Sequence, residues 1–251
     1  MRRFFTWYFF SYILLFVGFI FYIILTLPDV SVWKKKNPGK KDLMNVRAQS
    51  SAVQVKLQKI SYRWVSIGRV PVAMRRCVVV AEDASFWVHR GIDWFEVQQS
   101  LKKNLERGKF SRGGSTITQQ VAKNLYLSSD KSIRRKLREW LIARRLEKQL
   151  RKTRILELYI NIAQWGKNIY GIRMASARYF HKHPSQLSLD EMVRLAAVLP
   201  NPERLNPIRV NRAVLWRSRV ILNRLHKFGF IDDDEFEITN SQLDSLYQLS
   251  R

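Results

Sequence analysis

The stretch EDASFWVHRGID, Glu82 to Asp93, gathers Glu82, Asp83, His89 and Asp93 in one short segment of an otherwise basic chain. Adjacent carboxylates beside Phe86 and Trp87 suit proton abstraction. An apolar setting and a neighbouring like charge both raise a carboxyl pKa towards that of a working general base. In this reading Asp83 supplies the like charge, His89 is a structural hydrogen-bonder and Asp93 caps a helix. A second stretch, GGSTITQQVAKN (113–124), puts two glycines, Ser115 and Thr116 at the head of an amphipathic helix bearing Gln119, Gln120 and Lys123. Backbone N–H groups at such a helix start can hold an anion. The glycine spacing is not that of a Walker loop, and Ser115 lacks the nucleophile elbow.

A third candidate lies in KSIRRKLREWLIARRLEKQL, 131–150. At about 100° per residue, Ile133, Leu137, Trp140 and Leu141 share one apolar arc, and Arg134, Arg135, Arg138 and Arg145 a basic one. Glu139 falls with Ala143, Leu146 and Leu150, so this carboxylate is expected to be buried. An ordinary ion pair with Arg135 or Arg138 is the plainer reading.

The elements that must position these groups read as helices. DWFEVQQSLKKNLERG has Asp93 as N-cap, Glu96 three residues on, apolar Val97, Leu101 and Leu105, and Gly108 as a stop. SLDEMVRLAAVLP opens on the capping box Ser188–Glu191 and stops at Pro200. VAMRRCVVVAED is a buried apolar run that holds the single cysteine, Cys77, as an inert thiol. VQVKLQKISYRWVSIG, near 53–70, allows one hairpin, and the acidic DDDEFEITNSQLDSLYQ reads as a peripheral helix with its aspartates at the N-terminus. His181 and His183 have no further ligands near them, so no metal site is expected.

The whole chain has 251 residues, 45 Lys+Arg against 20 Asp+Glu and a formal charge of +25, which implies an anionic partner: nucleic acid, a phospholipid surface or a phosphorylated ligand. Phe4 to Leu27 carry no charge. About 24 residues of helix span about 36 Å, enough to cross a bilayer with some tilt. No small-x-small cleavage site follows, so residues 1–27 read as an uncleaved transmembrane anchor with a short cytoplasmic N-terminus. Residues 28–45, with two prolines, a glycine and lysine runs, read as a juxtamembrane linker, and 46–251 as one mainly α domain. Flanking charge leaves the orientation open: Arg2 and Arg3 precede the span, and Lys34, Lys35 and Lys36 follow it.

Together these segments resemble the peptidoglycan glycosyltransferases of glycosyltransferase family 51. The family pattern E-D-x-x-F-x-x-H-x-G-x-D stands here as Glu82, Asp83, Phe86, His89, Gly91 and Asp93. G-G-S-T-I-T-Q-Q-x-x-K-N is complete from Gly113 to Asn124. R-K-x-x-E appears as Arg135, Lys136 and Glu139, and I-L-E-x-Y-x-N as Ile155 to Asn161; WGKNIYGIRMASARYF and LSLDEMVRLAAVLPNPERLNP follow. The likeness spans roughly residues 60 to 220. One departure is Lys131, where arginine is common; it keeps the charge and loses the bidentate fork.

The resemblance implies a lysozyme-like glycosyltransferase domain that polymerises lipid II into glycan strands with inversion and loss of undecaprenyl pyrophosphate. By match, Glu82 is the general base on the acceptor sugar's 4-hydroxyl. Glu139 is the second essential carboxylate, assisting the leaving group directly or through a divalent cation such as Mg or Mn. Ser115, Gln119, Gln120, Lys123, Lys131 and Arg135 match positions that contact the donor's phosphates and sugars. The implied partners are lipid II, the growing strand, the membrane and other cell-wall synthesis proteins, with no nucleic acid. The implied location is the cytoplasmic (inner) membrane, single-pass, with the domain on the periplasmic side. About 26 residues follow position 225, and no S-x-x-K occurs among them, so a monofunctional enzyme is expected. On the residues alone two other readings stay open: a membrane-anchored basic binding protein, and a lysozyme-like lytic enzyme that cleaves glycan.

Overall fold

The computed structural model describes residues 2–47, 62–107, 114–128 and 132–250, with the side chains of 2–9, 16, 44–47, 104 and 107 outside that description. The fold is mainly helical, as expected. In chain order the helices are α1 (Arg2–Leu25), α2 (Lys40–Arg47), α3 (Val72–Glu82), α4 (Trp94–Arg107), α5 (Ile117–Tyr126), α6 (Ile133–Gln149) and α7 (Lys152–Ile162). After a hairpin of β1 (Gln164–Gly166) and β2 (Ile169–Tyr170) come α8 (Ile172–Phe180), α9 (Leu189–Val198), α10 (Arg212–Lys227) and α11 (Asp233–Leu249). Short 3-10 turns at Ser31–Lys34, Ile67–Arg69 and Pro184–Gln186 join them.

Two helices form the centre. Helix α9 is buried from Asp190 to Val198, and α3 and α10 pack on it. Its polar residues are internally matched: Arg194 donates to Asp190 at 2.6 Å and to the Pro207 carbonyl at 2.7 Å. Helix α5 packs on α6 and α7, with Ile117, Val121, Ala122 and Leu125 inside. Helix α3 carries Val78, Val79 and Val80, a β-branched run with weak helix propensity. All three are buried with Met74 and Cys77, so tertiary burial outweighs propensity there. Burial raises the Cys77 thiol to about 12, in keeping with an inert cysteine.

The expected caps form. The Ser188–Glu191 box opens α9, and Asp93 Oδ1 accepts from the Glu96 N–H at 3.0 Å. Asp232 caps α11, with Asp233, Asp234 and Glu235 in its first turn. Most of the hairpin expected near 53–70 lies outside the described residues; from 62 to 70 the chain is irregular and then a 3-10 turn. The strands that do form lie elsewhere, at β1 and β2, turning through Asn168 at φ 62°. Helix α4 also differs from expectation: Leu101 and Leu105 are 57% and 76% exposed, as are Trp94 and Phe95 at 59% and 66%, so its apolar side is not buried in this domain.

Residues 28–45, expected to be a linker, are folded onto the domain. Val30, Trp33 and Leu43 are buried in the main core cluster. Trp33 Nε1 donates to the Tyr126 hydroxyl, and Arg154 donates to the Trp33 carbonyl, the Lys36 carbonyl and Asn37 Oδ1, each at 2.8 Å. The proline, glycine and lysine content signalled a spacer, but one buried tryptophan outweighs it, because a Trp side chain buries a large apolar area. Helix α1 is continuous over its 24 residues. Among the described residues no helix is long and apolar enough to cross a membrane, and the side chains of residues 2–9 and of Phe16 fall outside that statement.

Trp33→Ala tests whether this segment is structural. It is expected to lower unfolding free energy by about 3–5 kcal/mol, the usual cost of a buried Trp truncation. Denaturant titration reads this, and a change within about 0.5 kcal/mol would make the segment a loose tether.

Candidate active site

Glu82 is the last residue of α3, and Asp83 is its C-cap. The two adjacent carboxylates point to different partners. Asp83 is buried, with both oxygens 3.0 Å from His89 Nε2, and its Oδ2 accepts from the Ile117 N–H at 2.9 Å. His89 Nδ1 accepts from the Gly91 N–H at 3.0 Å, so the imidazole proton sits on Nε2 and is donated to Asp83. His89 is therefore a structural hydrogen-bonder, as expected. Gly91 has φ +92°, and a Cβ there would stand 3.2 Å from the Ala143 carbonyl oxygen, so glycine allows both the turn and the approach of α6.

Ile117 is the first residue of α5, so Asp83 joins the end of α3 to the start of α5. A carboxylate at a helix N-terminus satisfies a donor that has no partner within the helix, and it meets the positive end of the dipole. The same helix start is closed by a capping box. Thr116 Oγ1 accepts from the Gln119 N–H and Gln119 Oε1 accepts from the Thr116 N–H, both at 3.1 Å. Thr116 Oγ1 also donates to the Gly91 carbonyl at 2.7 Å. Gln119, expected at the substrate, is fully buried and committed to this cap; its Nε2 has no hydrogen-bond partner.

One residue on, Gln120 Nε2 donates to Glu82 Oε2 at 2.8 Å, and Gln120 Oε1 accepts from the Tyr159 hydroxyl at 3.3 Å. Glu82 keeps partial solvent contact as a residue, but its carboxyl end lies deep enough for burial to raise its pKa. Against that rise act the Gln120 hydrogen bond, the Arg217 charge, the Tyr159 hydrogen bond and the Lys123 charge. Two causes were expected, an apolar setting and the like charge of Asp83. Burial is the one that acts, and Asp83 is turned to His89 and α5. Tyr159 is buried, and desolvation first and the Glu82 charge second hold its pKa well above the ordinary value, so it keeps its proton.

Glu139, on α6, is 2% exposed, as its apolar arc implied. Arg135 Nη1 donates to Glu139 Oε2 at 2.6 Å, and Lys136 Nζ to Oε1. Lys136 Nζ also donates to Ser115 Oγ at 3.0 Å. Ser115 is exposed just before α5. Arg138, the other candidate partner, turns away to α1. Arg135 Nε is buried with no hydrogen-bond partner, a donor still to be matched. Lys131 lies outside the described residues.

Both carboxylates thus converge on the N-terminal half of α5: Glu82 through Gln120, Glu139 through Lys136 and Ser115. Lys123, exposed one turn further along α5, adds positive charge that acts on Glu82. The arrangement couples a raised-pKa base to a cationic patch. It does not fit a resident divalent ion: both Glu139 oxygens are bonded to cations, and no cluster of three ligating side chains occurs among the described residues. A cavity of about 520 Å³ lies beside α3, lined by Val72, Val79, Trp87, Leu156, Phe228 and Phe230 among others. It holds neither carboxylate, so hydrogen bonding rather than volume locates the chemistry.

Three site groups were given no role from the sequence. Lys136 stood in the quoted R-K-x-x-E pattern, three residues before Glu139, without a partner assigned to it. Tyr159 sits within a quoted motif, but its side chain carried no signal of its own. Arg217 on α10, whose Nε donates to the Ala197 carbonyl at 2.9 Å, meets Glu82 only through the tertiary fold.

A family model described as Transglycosylase matches residues 49–226. The biosynthetic peptidoglycan transglycosylase of Laribacter hongkongensis (strain HLHK9) is 36% identical over 208 residues, covering 83% of this chain and 91% of that one. That of Chromobacterium violaceum is 37% identical over 211 residues, with 83% and 91% covered. That of Aromatoleum aromaticum is 38% identical over 207 residues, with 81% and 90% covered. Penicillin-binding protein 1A from Haemophilus influenzae matches at 24% identity and a TM-score of 0.33, over 49% of this chain and 15% of that one.

Burial of Glu82 has a stability consequence. Unfolded, the group ionises near its ordinary 4.5; folded, its pKa is higher. Between the two values the folded state binds the extra proton, so stability falls as pH rises through that window. Glu82→Gln removes this loss. The variant is expected to melt roughly 2–4 °C above wild type at about pH 8 and level with it at about pH 4. Thermal melts at both pH values decide; a variant less stable than wild type at pH 8 would contradict the assignment.

Proposed function

The chain belongs to the transglycosylase family and is a peptidoglycan glycosyltransferase acting at the cell envelope; on that premise we propose that it polymerises lipid II by the two-carboxylate site on α5. Glu82 takes the proton from the acceptor sugar's 4-hydroxyl. That oxygen attacks the anomeric carbon of the donor strand from the face opposite its diphosphate. The carbon–oxygen bond to the diphosphate breaks with inversion, and undecaprenyl pyrophosphate leaves. One hydroxyl proton is transferred to Glu82, and the developing charge is carried by the departing diphosphate.

The observation that carries this reading is the pairing of unlike environments. Glu82 faces a neutral amide and a neutral phenol and has its pKa raised by burial. Lys123, Arg135 and Lys136 stand on the same α5–α6 unit, where fixed cations stabilise a diphosphate as its charge grows. Glu139 is assigned to hold Arg135 and Lys136 in place for it. Gln120 orients the base, and Ser115 and Lys131 are read as further donor-strand contacts. A lytic enzyme working on finished glycan would have no diphosphate for these cations to meet.

In this proposal α1 is the single-pass membrane anchor, the helical domain is lysozyme-like, and it faces the outer side of the cytoplasmic membrane. The uncharged run Phe4–Leu27 supports the anchor. The exposed Trp94, Phe95, Leu101 and Leu105 of α4 support contact between the domain and lipid. Tethering keeps the site at the surface to which the substrate's lipid tail is confined.

Polymerisation of labelled lipid II is expected to fall about 10²–10⁴-fold in Glu82→Gln, the usual worth of a general base. Equal polymer from variant and wild type would remove Glu82 from this role. The pH dependence carries a second expectation. Only ionised Glu82 accepts the proton, so the acidic limb of kcat/KM must lie above the ordinary value of 4.5; a limb at or below it would place the base elsewhere.

A further inference from the structure

Two members of the basic arc of α6 that the reaction does not use reach the end of α1. Arg138 donates from Nη1 to Thr26 Oγ1 at 2.8 Å and from Nη2 to the Thr26 carbonyl at 2.9 Å. Arg145, two turns further along the same face, donates from Nη1 to the Leu27 and Pro28 carbonyls at 3.2 and 3.4 Å and from Nη2 to the Ile24 carbonyl at 3.2 Å. These acceptors lie in and just beyond the last turn of α1. A helix end leaves its final carbonyls without intrahelical partners, and cations nearby satisfy both the carbonyls and the dipole. Helix α1 has no basic residue in its own last turn, so α6 supplies the cations. Ile23, fully buried, adds an apolar contact at the same place. The helix that grips α1 is the one that carries Arg135, Lys136 and Glu139.

We propose that Arg138 and Arg145 are positioning residues: by clamping the C-terminal end of α1 to α6, they fix the height and tilt of the α5–α6 site over the membrane, and so govern use of a substrate whose diphosphate is held at that surface by its own lipid tail. The proposal rests on the functional reading above, with α1 as the anchor. It concerns how the site is presented, and neither arginine touches the reacting atoms. Arg138 spans two acceptors and Arg145 three, which an ammonium group does not do in one fixed geometry. The linkage is therefore stiff, and a displacement of about 1 Å at a reacting centre is enough to cost on the order of a hundredfold in rate.

The test uses the full chain in phosphatidylethanolamine–phosphatidylglycerol vesicles with full-length lipid II, and in detergent micelles with a short-chain lipid II analogue. In the vesicles Arg138→Ala/Arg145→Ala is expected to lose about tenfold in kcat/KM, within the penalty for a misplaced site. In micelles, where substrate and site meet without a fixed surface, it should stay near wild type. Equal activity in both arms overturns the proposal. So does a parallel loss in both arms with an unchanged melting temperature, which would mark a general structural role.

A second measurement needs no loss of stability. Spin labels at Tyr12→Cys and Arg144→Cys, with Cys77 buried and unlabelled, should give one narrow distance in vesicles that broadens in Arg138→Lys/Arg145→Lys. A broad distribution with both arginines present overturns the clamp. Absence of polymer from wild type in both arms defeats the functional reading itself, whereas a competent wild type indifferent to the substitutions defeats only this inference.

Discussion

The buried carboxylate of Asp83 is the joint on which the site depends. It accepts from the first N–H of α5 and from His89, whose other nitrogen accepts from Gly91. Gly91 in turn offers its carbonyl to Thr116, the cap of α5. Three segments, the end of α3, the 89–91 turn and the start of α5, close into one hydrogen-bonded ring around a group that is 8% exposed. A buried carboxylate is tolerable only with such compensation. The ring also sets the direction of the residue before it. With Asp83 anchored to the start of α5, Glu82 at the end of α3 meets the side chain three positions along α5, which is Gln120. Glu82 is placed by its neighbour's bonds more than by its own.

Glu82 and Glu139 show how environment gives one chemical group two different settings. Glu139 is deep, and both its oxygens are taken by cations from its own helix. It serves as an electrostatic fixture, since it orders Arg135 and Lys136 while leaving Lys136 in contact with Ser115. Glu82 has one neutral donor on Oε2, a neighbouring phenol, and the cationic charge of Arg217 and Lys123 acting against the rise that burial imposes. A fold that must keep an underpaired carboxylate sheltered spends stability there, as active sites commonly do.

What could be read in the sequence follows from how local each determinant is. The caps at Asp93, Ser188 and Asp232 and the burial of Glu139 are set by spacings of one to four residues, and all stand as expected. The family pattern named residues around Glu82 and at the head of α5, yet it could not tell Gln119 from Gln120. One is turned into the cap and the other to the base, a choice made by where α3 ends. Of the two causes expected to raise the Glu82 pKa, the apolar setting stands and mutual repulsion does not, because the acids part company across the α3 terminus. Arg217 was invisible because its meeting with Glu82 exists only after α10 folds back on α3. The linker was misread because composition averages over 28–45, while one side chain, Trp33, decides its fate.

The excess of positive charge invites the thought that the whole surface seeks an anion, and the side-chain bonds narrow it. Arg138, Arg145, Arg154, Arg217 and Arg224 each donate to main-chain carbonyls. Arg194 divides itself between Asp190 and a carbonyl. In these places arginine works as a multi-pronged donor that ties helix ends and irregular segments together, a use that depends on its fork more than on its charge. The formal charge therefore overstates the cationic surface open to a ligand. Near α5 and the start of α6, Arg135 and Lys136 instead pair with the Glu139 carboxylate. The same arginines that reduce the free charge elsewhere hold α1 and residues 28–37 against α6 and α7. Net charge and fold geometry are thus partly one constraint: these internal donors fix the frame around α6 and α7.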